Sequence, residues 1–401
     1  MPELQDAYIV AATRTPVGKA PRGMFSRTRP DDLLAAVLRG LVARAPALDP
    51  QAVEDVIVGC AIPEGPQGLN VGRIATLLAG LPVSVPGVTV NRFCASGLTA
   101  VAMAAARIRT GEADIIIAAG IESMSQVPVM GVNTSFSPAI FERDENLGIA
   151  FGMGLTAEQV ARRWQVSRED QDAFALQSHQ RALAAREKGE FADEILPVDI
   201  PLRTPILEGG RAGEIDVSVR RAEHDEGPRS DTSLEALARL RPVFAAKGSV
   251  TAGNSSQTSD GAGALLVVSE RALRDHGLTP LARFVSFSVK GVAPEIMGIG
   301  PREAIPHALA LAGLRQGQLG WIELNEAFAA QALAVMRELD LDPAIVNPLG
   351  GAIALGHPLG ATGAIRAATV VHALRRHKLD YGMVTMCVGT GMGAAGVFQR
   401  V

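Results

Sequence analysis

The sequence predicts a duplicated α/β fold with an inserted loop domain, and three observations carry that expectation. Short β-branched runs alternate with longer Ala/Leu-rich periodic runs, the pattern of βα units around buried, mostly parallel sheets. The alternation occupies both ends of the 401-residue chain and lapses in the middle. The two ends also repeat one another in the same order: VEDVIVGC is matched by LGWIELNE, VNRFCASG by VNPLGGAIALGHPLGATG, and ADIIIAAG by YGMVTMCVG. Two similar halves about a pseudo-twofold axis are the simplest account, set against the plainer one that any two α/β stretches look alike.

In the front half, residues 8–12, 56–62, 88–90 and 114–119 read as strands, and 31–45, 73–79 and 95–109 as helices. After residue 260 the pattern returns, with strands at 265–269, 282–289, 321–324, 382–386 and 395–398 and helices at 303–314, 327–339 and 361–376. Between them, Ser167 lies three residues before Asp170, a capping-box-like start for a helix that Gly189 stops. Segments 131–150 and 203–233 have no period and are rich in Gly, Pro and charge, so they read as long functional loops or lids. The expected division is 1–124 plus 259–278 as one half, 125–258 as a loop domain, and 279–401 as the other half.

Composition narrows the function. Hydrophobic residues at 47% and charged residues at 20% exclude a disordered chain. With 38 Lys+Arg against 42 Asp+Glu, no general cationic field exists to hold nucleic acid or an anionic membrane, so any anion must be met locally. Cys60, Cys94 and Cys387 are odd in number and scattered, which argues for free thiols in a reducing compartment. The N-terminal segment lacks a basic n-region, and no stretch approaches the ~18 consecutive apolar residues of a membrane span. The expected location is the cytoplasm.

Cys94 follows the strand that ends at Val90 and opens the helical run Ala95, Ser96, Gly97 and Leu98. A thiol at a helix N-terminus feels the positive end of the dipole, which lowers its pKa; the bland reading is a buried structural cysteine. Cys60, inside a strand run, keeps the bland reading. Among the histidines, His179, His372 and His377 sit in helical or charged contexts that suggest solvated or capping roles. His357 differs, because it lies in GGAIALGHPLGATG, where glycines let a ligand approach closely and Pro358 fixes the chain beyond. Asn325 and Glu326 follow a strand at its C-terminal end, where open α/β sheets place ligands, though both also suit a helix cap. Cys387 likewise ends a strand. The stretch 391–396 spells G-x-G-x-x-G, but with so little chain after it there is neither a following helix nor a distal acidic residue, so no dinucleotide site is expected. Metal-ligand spacings, a P-loop and a G-x-S-x-G elbow are absent from the sequence.

Four segments together, NRFCASG around Cys94, NEAFA from Asn325, GGAIALGHPLG around His357 and CVGTG from Cys387, closely resemble the thiolase family over nearly the whole chain. TAGNSS at 251–256 and the Gly152-Met153-Gly154 turn fit the same family. The resemblance implies a five-layered αβαβα core plus a loop domain. It implies Cys94 as the acylated nucleophile, His357 as the base that takes its proton and later that of the CoA thiol, and Cys387 as the second acid/base. It also implies one oxyanion hole from His357 and a water held by Asn325, and another from the backbone N–H groups of Cys94 and Gly389. No cofactor is expected to be tightly bound; coenzyme A is a co-substrate, with Ser256 and Ala252 near its pantetheine, Phe244 against the adenine side, Arg229 near the ADP moiety and Met153 lining the acyl or pantetheine pocket.

Gly152 stands where short-chain condensing members usually carry a His, and a smaller residue there would admit a longer acyl chain. The degradative reaction, 3-ketoacyl-CoA with CoA giving acetyl-CoA and a shortened acyl-CoA in fatty-acid β-oxidation, is therefore preferred. The alternative is an acetyl-CoA acetyltransferase acting on acetoacetyl-CoA. Decarboxylative condensation, a Cys/His hydrolase and a catalytically idle acyl-CoA-binding relative are further readings, and each leaves Cys387 without a purpose or requires catalytic residues to have been lost. Apolar, Ala-rich strand edges near the nucleophile suggest a homodimer, with a homotetramer as the other assembly, and the resemblance to the degradative branch implies a hydratase/dehydrogenase subunit as partner.

Overall fold

The computed structural model describes residues 4–209 and 213–401. In the front half, β1 (Ala7–Arg14), β2 (Gly18–Lys19), β3 (Asp55–Gly59), β4 (Val88–Val90) and β5 (Ile115–Ser123) alternate with α1 (Pro30–Ala43), α2 (Val71–Leu78) and α3 (Ser96–Arg109). The middle holds α4 (Met153–Arg163), α5 (Arg168–Glu187), the hairpin β6 (Val198–Pro205) and β7 (Ile215–Ala222), and the short α6 (Leu234–Ala238). There follow β8 (Ser259–Ser269), α7 (Glu270–Asp275), β9 (Ala282–Gly291), α8 (Gly300–Ala312), β10 (Trp321–Leu324), α9 (Ala329–Glu338), α10 (Ala352–Leu355), α11 (Leu359–Arg376), β11 (Tyr381–Val388) and β12 (Met392–Arg400).

The main sheet runs β10-β11-β12-β9-β1-β8-β5-β3-β4. Among the described residues, its two wings pair where Tyr8 meets Arg283 and Ile9 meets Ala282. From that seam each wing repeats one pairing pattern. Outward from β1 come antiparallel β8, antiparallel β5, then parallel β3 and β4. Outward from β9 come antiparallel β12, antiparallel β11, parallel β10, and a last parallel bridge from Ile322 to Val346. The fold is therefore duplicated as the repeated sequence blocks imply.

Burial assigns the layers. α1 and α2 pack one outer face through Leu33, Leu34, Leu38 and Val71. α3 and α11 form the middle layer, their Ala-rich faces packed together through Ala100, Ala104, Ala364 and Ala368. α8 and α9 cover the other outer face. This is an αβαβα stack, and small side chains let its central helices lie close between two sheets.

Two expectations need correction. The sheet is mixed, with antiparallel pairs in the majority, because each half ends in strands that reverse direction. One such reversal is the β11–β12 turn at Gly389, Thr390 and Gly391, where Thr390 has φ 64° and Gly391 φ 89°. Residues 203–233 are not wholly irregular: β6 and β7 pair in full register from Val198↔Ala222 to Pro205↔Ile215. Pro201 and Pro205 mask the β6 strand; residues 210–212, part of the expected loop, lie outside the described residues. The helix from Ser167 is present, its hydroxyl accepting the Asp170 N–H at 3.1 Å.

Candidate active site

Cys94 sits in a 3-10 turn, Phe93–Ala95, between the end of β4 and the start of α3. Local polar side chains shape that turn. Asn91 Oδ1 accepts the Phe93 N–H at 2.8 Å, and Ser96 Oγ accepts the Arg92 N–H at 2.8 Å while donating to the Phe93 carbonyl at 2.7 Å. Behind it, α3 meets α11 backbone to backbone: a Cβ on Gly97 would lie 2.7 Å from the Ala364 nitrogen and 2.8 Å from the Gly360 oxygen. The turn thereby rides directly on the segment that follows His357.

The backbone N–H of Gly389, from the opposite half, and that of Cys94 itself favour the charged form of the Cys94 sulfur. Burial nonetheless pushes its thiol up to about 11, the charge of Glu122 adding to the effect. This corrects the expectation of a pKa lowered by a helix dipole. The sulfur is buried one turn before the helix proper, and loss of water outweighs the two donors. At rest it is a thiol that needs a base.

His357 is neutral in the resting state, since burial drives its pKa down to about 3, with Arg366 adding to the shift. Its Nδ1 lies 2.7 Å from Thr362 Oγ1 and its Nε2 3.4 Å from Asn325 Nδ2. Thr362 thus orients the ring from the first turn of α11, and Asn325 Oδ1 is left buried with no partner. Gly356, at φ 92°, makes the reversal that brings His357 back onto Gln257 and Ser259; a Cβ there would strike Val17 Cγ1 at 2.8 Å.

Cys387, fully buried near the end of β11, packs with Met153, Ala327 and Phe328. Burial raises its thiol well above the ordinary range, and the nearby Cys94 raises it further. The charge of Cys94 thus reaches Cys387 from the other half, and Gly389 follows Cys387 by two residues. Cys60 is a buried thiol just past the end of β3, 3.9 Å from Glu122.

Two buried carboxylates hold the frame. Glu122, at the end of β5, accepts N–H groups from Ala61, Ile62 and Gly360 and the side chain of Gln67, tying the front sheet to the loop after His357. Glu326 accepts from Ser178, Asn347 and the Ile353 N–H, anchoring the short helix that precedes His357. The sequence reading left Glu326 as a possible cap and passed over Glu122, Thr362 and Gln331. A Glu closing an otherwise apolar strand was the one available signal.

The other expected contacts spread over the middle segment. Ser256 donates its N–H to the Ala327 carbonyl at 2.9 Å, beside the cysteine pocket. Met153 lies over Gly389, its sulfur 3.8 Å from where a Cβ would stand. Phe244 packs edge-on against Phe328, centroids 6.0 Å apart, and covers Gly154, so it sits at the sulfur end. Ala252 and Arg229 line a cavity of about 300 Å³ with Lys19, His179, Leu237 and Gln257. Arg229 is paired with Asp231 at 2.8 Å. Gly152 faces open space, with nothing within 4 Å of a Cβ placed there. His179 is buried and His372 half-buried: His179 Nδ1 accepts the Arg229 N–H, and His372 Nε2 lies 3.0 Å from the Ala12 carbonyl. Among the described residues no cluster of His, Cys, Asp or Glu could hold a metal ion, and no helix is long and apolar enough to cross a membrane.

Family models for "Thiolase, N-terminal domain" and "Thiolase, C-terminal domain" match residues 7–271 and 278–400. A 3-ketoacyl-CoA thiolase of Bacillus subtilis is 50% identical over 99% of this chain and 100% of its own length. Two solved structures superpose throughout. The Bacillus anthracis acetyl-CoA acetyltransferase has TM-score 0.88 at 37% identity, covering all of both chains. The human mitochondrial 3-ketoacyl-CoA thiolase has TM-score 0.87 at 37% identity, covering 99% of each.

Proposed function

The chain belongs to the thiolase family, and from that membership we propose that it cleaves 3-ketoacyl-CoA with CoA to acetyl-CoA and a shortened acyl-CoA, as an acetyl-CoA C-acyltransferase of fatty-acid β-oxidation. One observation supports it above the rest: the Cys94 sulfur lies under the Gly389 N–H and within electrostatic reach of Cys387. Splitting a C–C bond next to a ketone requires covalent capture at the keto carbon and a separate proton donor for the departing enolate. Two adjacent thiols meet both needs.

The neutral His357 takes the Cys94 proton as the sulfur attacks the keto carbon, and the oxyanion forms against backbone N–H groups of Cys94 and Gly389. When the C–C bond breaks, Cys387 gives its proton to the enolate carbon and becomes a thiolate. A proton passing from the imidazolium to that thiolate returns both groups to neutrality. The imidazole then accepts the proton of the incoming CoA thiol and hands it to Cys94 as the acyl group leaves. Asn325, beside His357 Nε2, is suited to hold a water against the thioester oxygen.

Coenzyme A is read as co-substrate, lying along the 125–258 segment past Arg229, Ala252, Ser256, Phe244 and Met153. The halves 1–124 plus 259–278 and 279–401 meet at the sulfurs. The open space at Gly152 favours acyl chains longer than acetyl. Three unpaired buried thiols suit the reducing cytoplasm. The exposed edge of β4 suits a homodimer, and a hydratase/dehydrogenase partner rests on the degradative branch alone. In a thiolysis assay Cys94→Ser loses at least ~10³-fold in kcat/KM and forms no stable acyl-enzyme. Near-full activity in that variant sinks the reading.

A further inference from the structure

Cys387 must be met in two states, a thiol and a thiolate, inside a pocket walled by Ala157, Val250, Met297 and Phe328. Among the described residues, one side-chain polar group makes a hydrogen bond to it there. Gln331, in the first turn of α9 and fully buried, accepts the Cys387 S–H on Oε1 at 3.0 Å. Its other amide atom, Nε2, is buried with no hydrogen-bond partner. Gln331 is held by packing along its stem, since a Cβ on Gly298 would lie 2.7 Å from the Gln331 Cβ.

We propose that Gln331 is the positioning residue for Cys387, and that rotation of its carboxamide serves both protonation states of that sulfur. With the oxygen turned to the sulfur it accepts from the thiol. Turned by half a rotation, it presents N–H donors to the thiolate left after the proton has gone to carbon. No bond at Nε2 is lost in the turn, because none is made there. A methionine or leucine could fill the volume and serve neither state. A glutamate serves both only while protonated, and once ionised it only accepts and repels the thiolate. The inference rests on the proposed role of Cys387 and extends it to the group that sustains it.

The test separates the two sulfurs. Exchange of the acetyl-CoA methyl protons with deuterated water needs Cys387, whereas acylation of Cys94 by acetyl-CoA does not need its proton. Gln331→Leu is expected to slow exchange by roughly 10- to 100-fold, with Cys94 acylation changed less than about 3-fold. Gln331→Glu is expected to retain exchange at acid pH and lose it as pH rises through the new carboxyl's titration, a profile that a packing role would not produce. If Gln331→Leu leaves exchange unchanged, or slows both half-reactions alike, the proposal is overturned. So it is if the Gln331→Glu profile parallels that of the unaltered enzyme. Cys387→Ser is the separate control: persistent exchange there overturns the role of Cys387 itself.

Discussion

At the scale of single residues, burial decides the chemistry more than sequence context does. His179 lies on α5 among charged neighbours, yet it is 5% exposed, and burial followed by the charges of Arg229 and Lys19 lowers its pKa to about 4 against the opposing pull of Asp231. Protonating it would break the bond from the Arg229 N–H. Below its ordinary 6.5 the unfolded chain binds a proton there that the native protein refuses down to about 4, so stability falls as pH drops through that window. His179→Gln removes this linkage. Between neutral pH and about pH 5, the unaltered protein should lose roughly 2 kcal/mol more stability in urea unfolding than the variant loses. Equal losses would show that His179 titrates normally. Of the four proposed site residues, Cys94, Asn325 and Cys387 stood out because each ends or follows a strand inside a distinctive block, and His357 because of the glycines around it. Their protonation states were not, because desolvation depends on what the rest of the chain stacks above them.

Among elements, the decisive contact is the crossing of α3 on α11. Cys94 precedes one helix and His357 the other, so their separation follows from how closely the two axes approach. At Gly97 that approach is limited by backbone atoms of Gly360 and Ala364, which no rotamer change can move aside. Gly97→Ala is expected to force the helices apart, lowering stability by about 1–3 kcal/mol and thiolysis by ~10²-fold, with the larger share in kcat. Unchanged kinetics in a folded variant would mean the crossing does not set the site. The helices themselves were readable to within a few residues, since their apolar periodicity is strong: residues 95–109 were expected where α3 covers Ser96–Arg109. The β6–β7 ribbon was not. Its β7 stretch Ile215–Ala222 alternates, but Ile215, Val217 and Val219 point their apolar face to solvent, a pattern that no core demands.

For the whole molecule, the sheet order leaves one consequential edge. β4 pairs with β3 on one side, and among the described residues no strand lies on its other side. Val88 on that edge is 37% exposed, and Leu77, Leu78, Val83 and Met103 around it are exposed as well. An unpaired strand bordered by apolar side chains is a template for a second copy, and pairing two such edges would extend the sheet through both subunits. β4 also leads within four residues to Cys94, so an interface there would brace the turn that aims the nucleophile. Val88→Asp places a charge in that seam with no partner. It is expected to weaken self-association by at least ~10²-fold, giving single-chain mass in sedimentation velocity at micromolar concentration where the proposed homodimer predicts twice that mass for the unaltered protein. Activity per chain should fall with dilution in the variant before it does in the unaltered protein. A variant with undiminished mass would move the interface elsewhere, and a monomeric unaltered enzyme at full activity would mean that each chain holds its nucleophile without help.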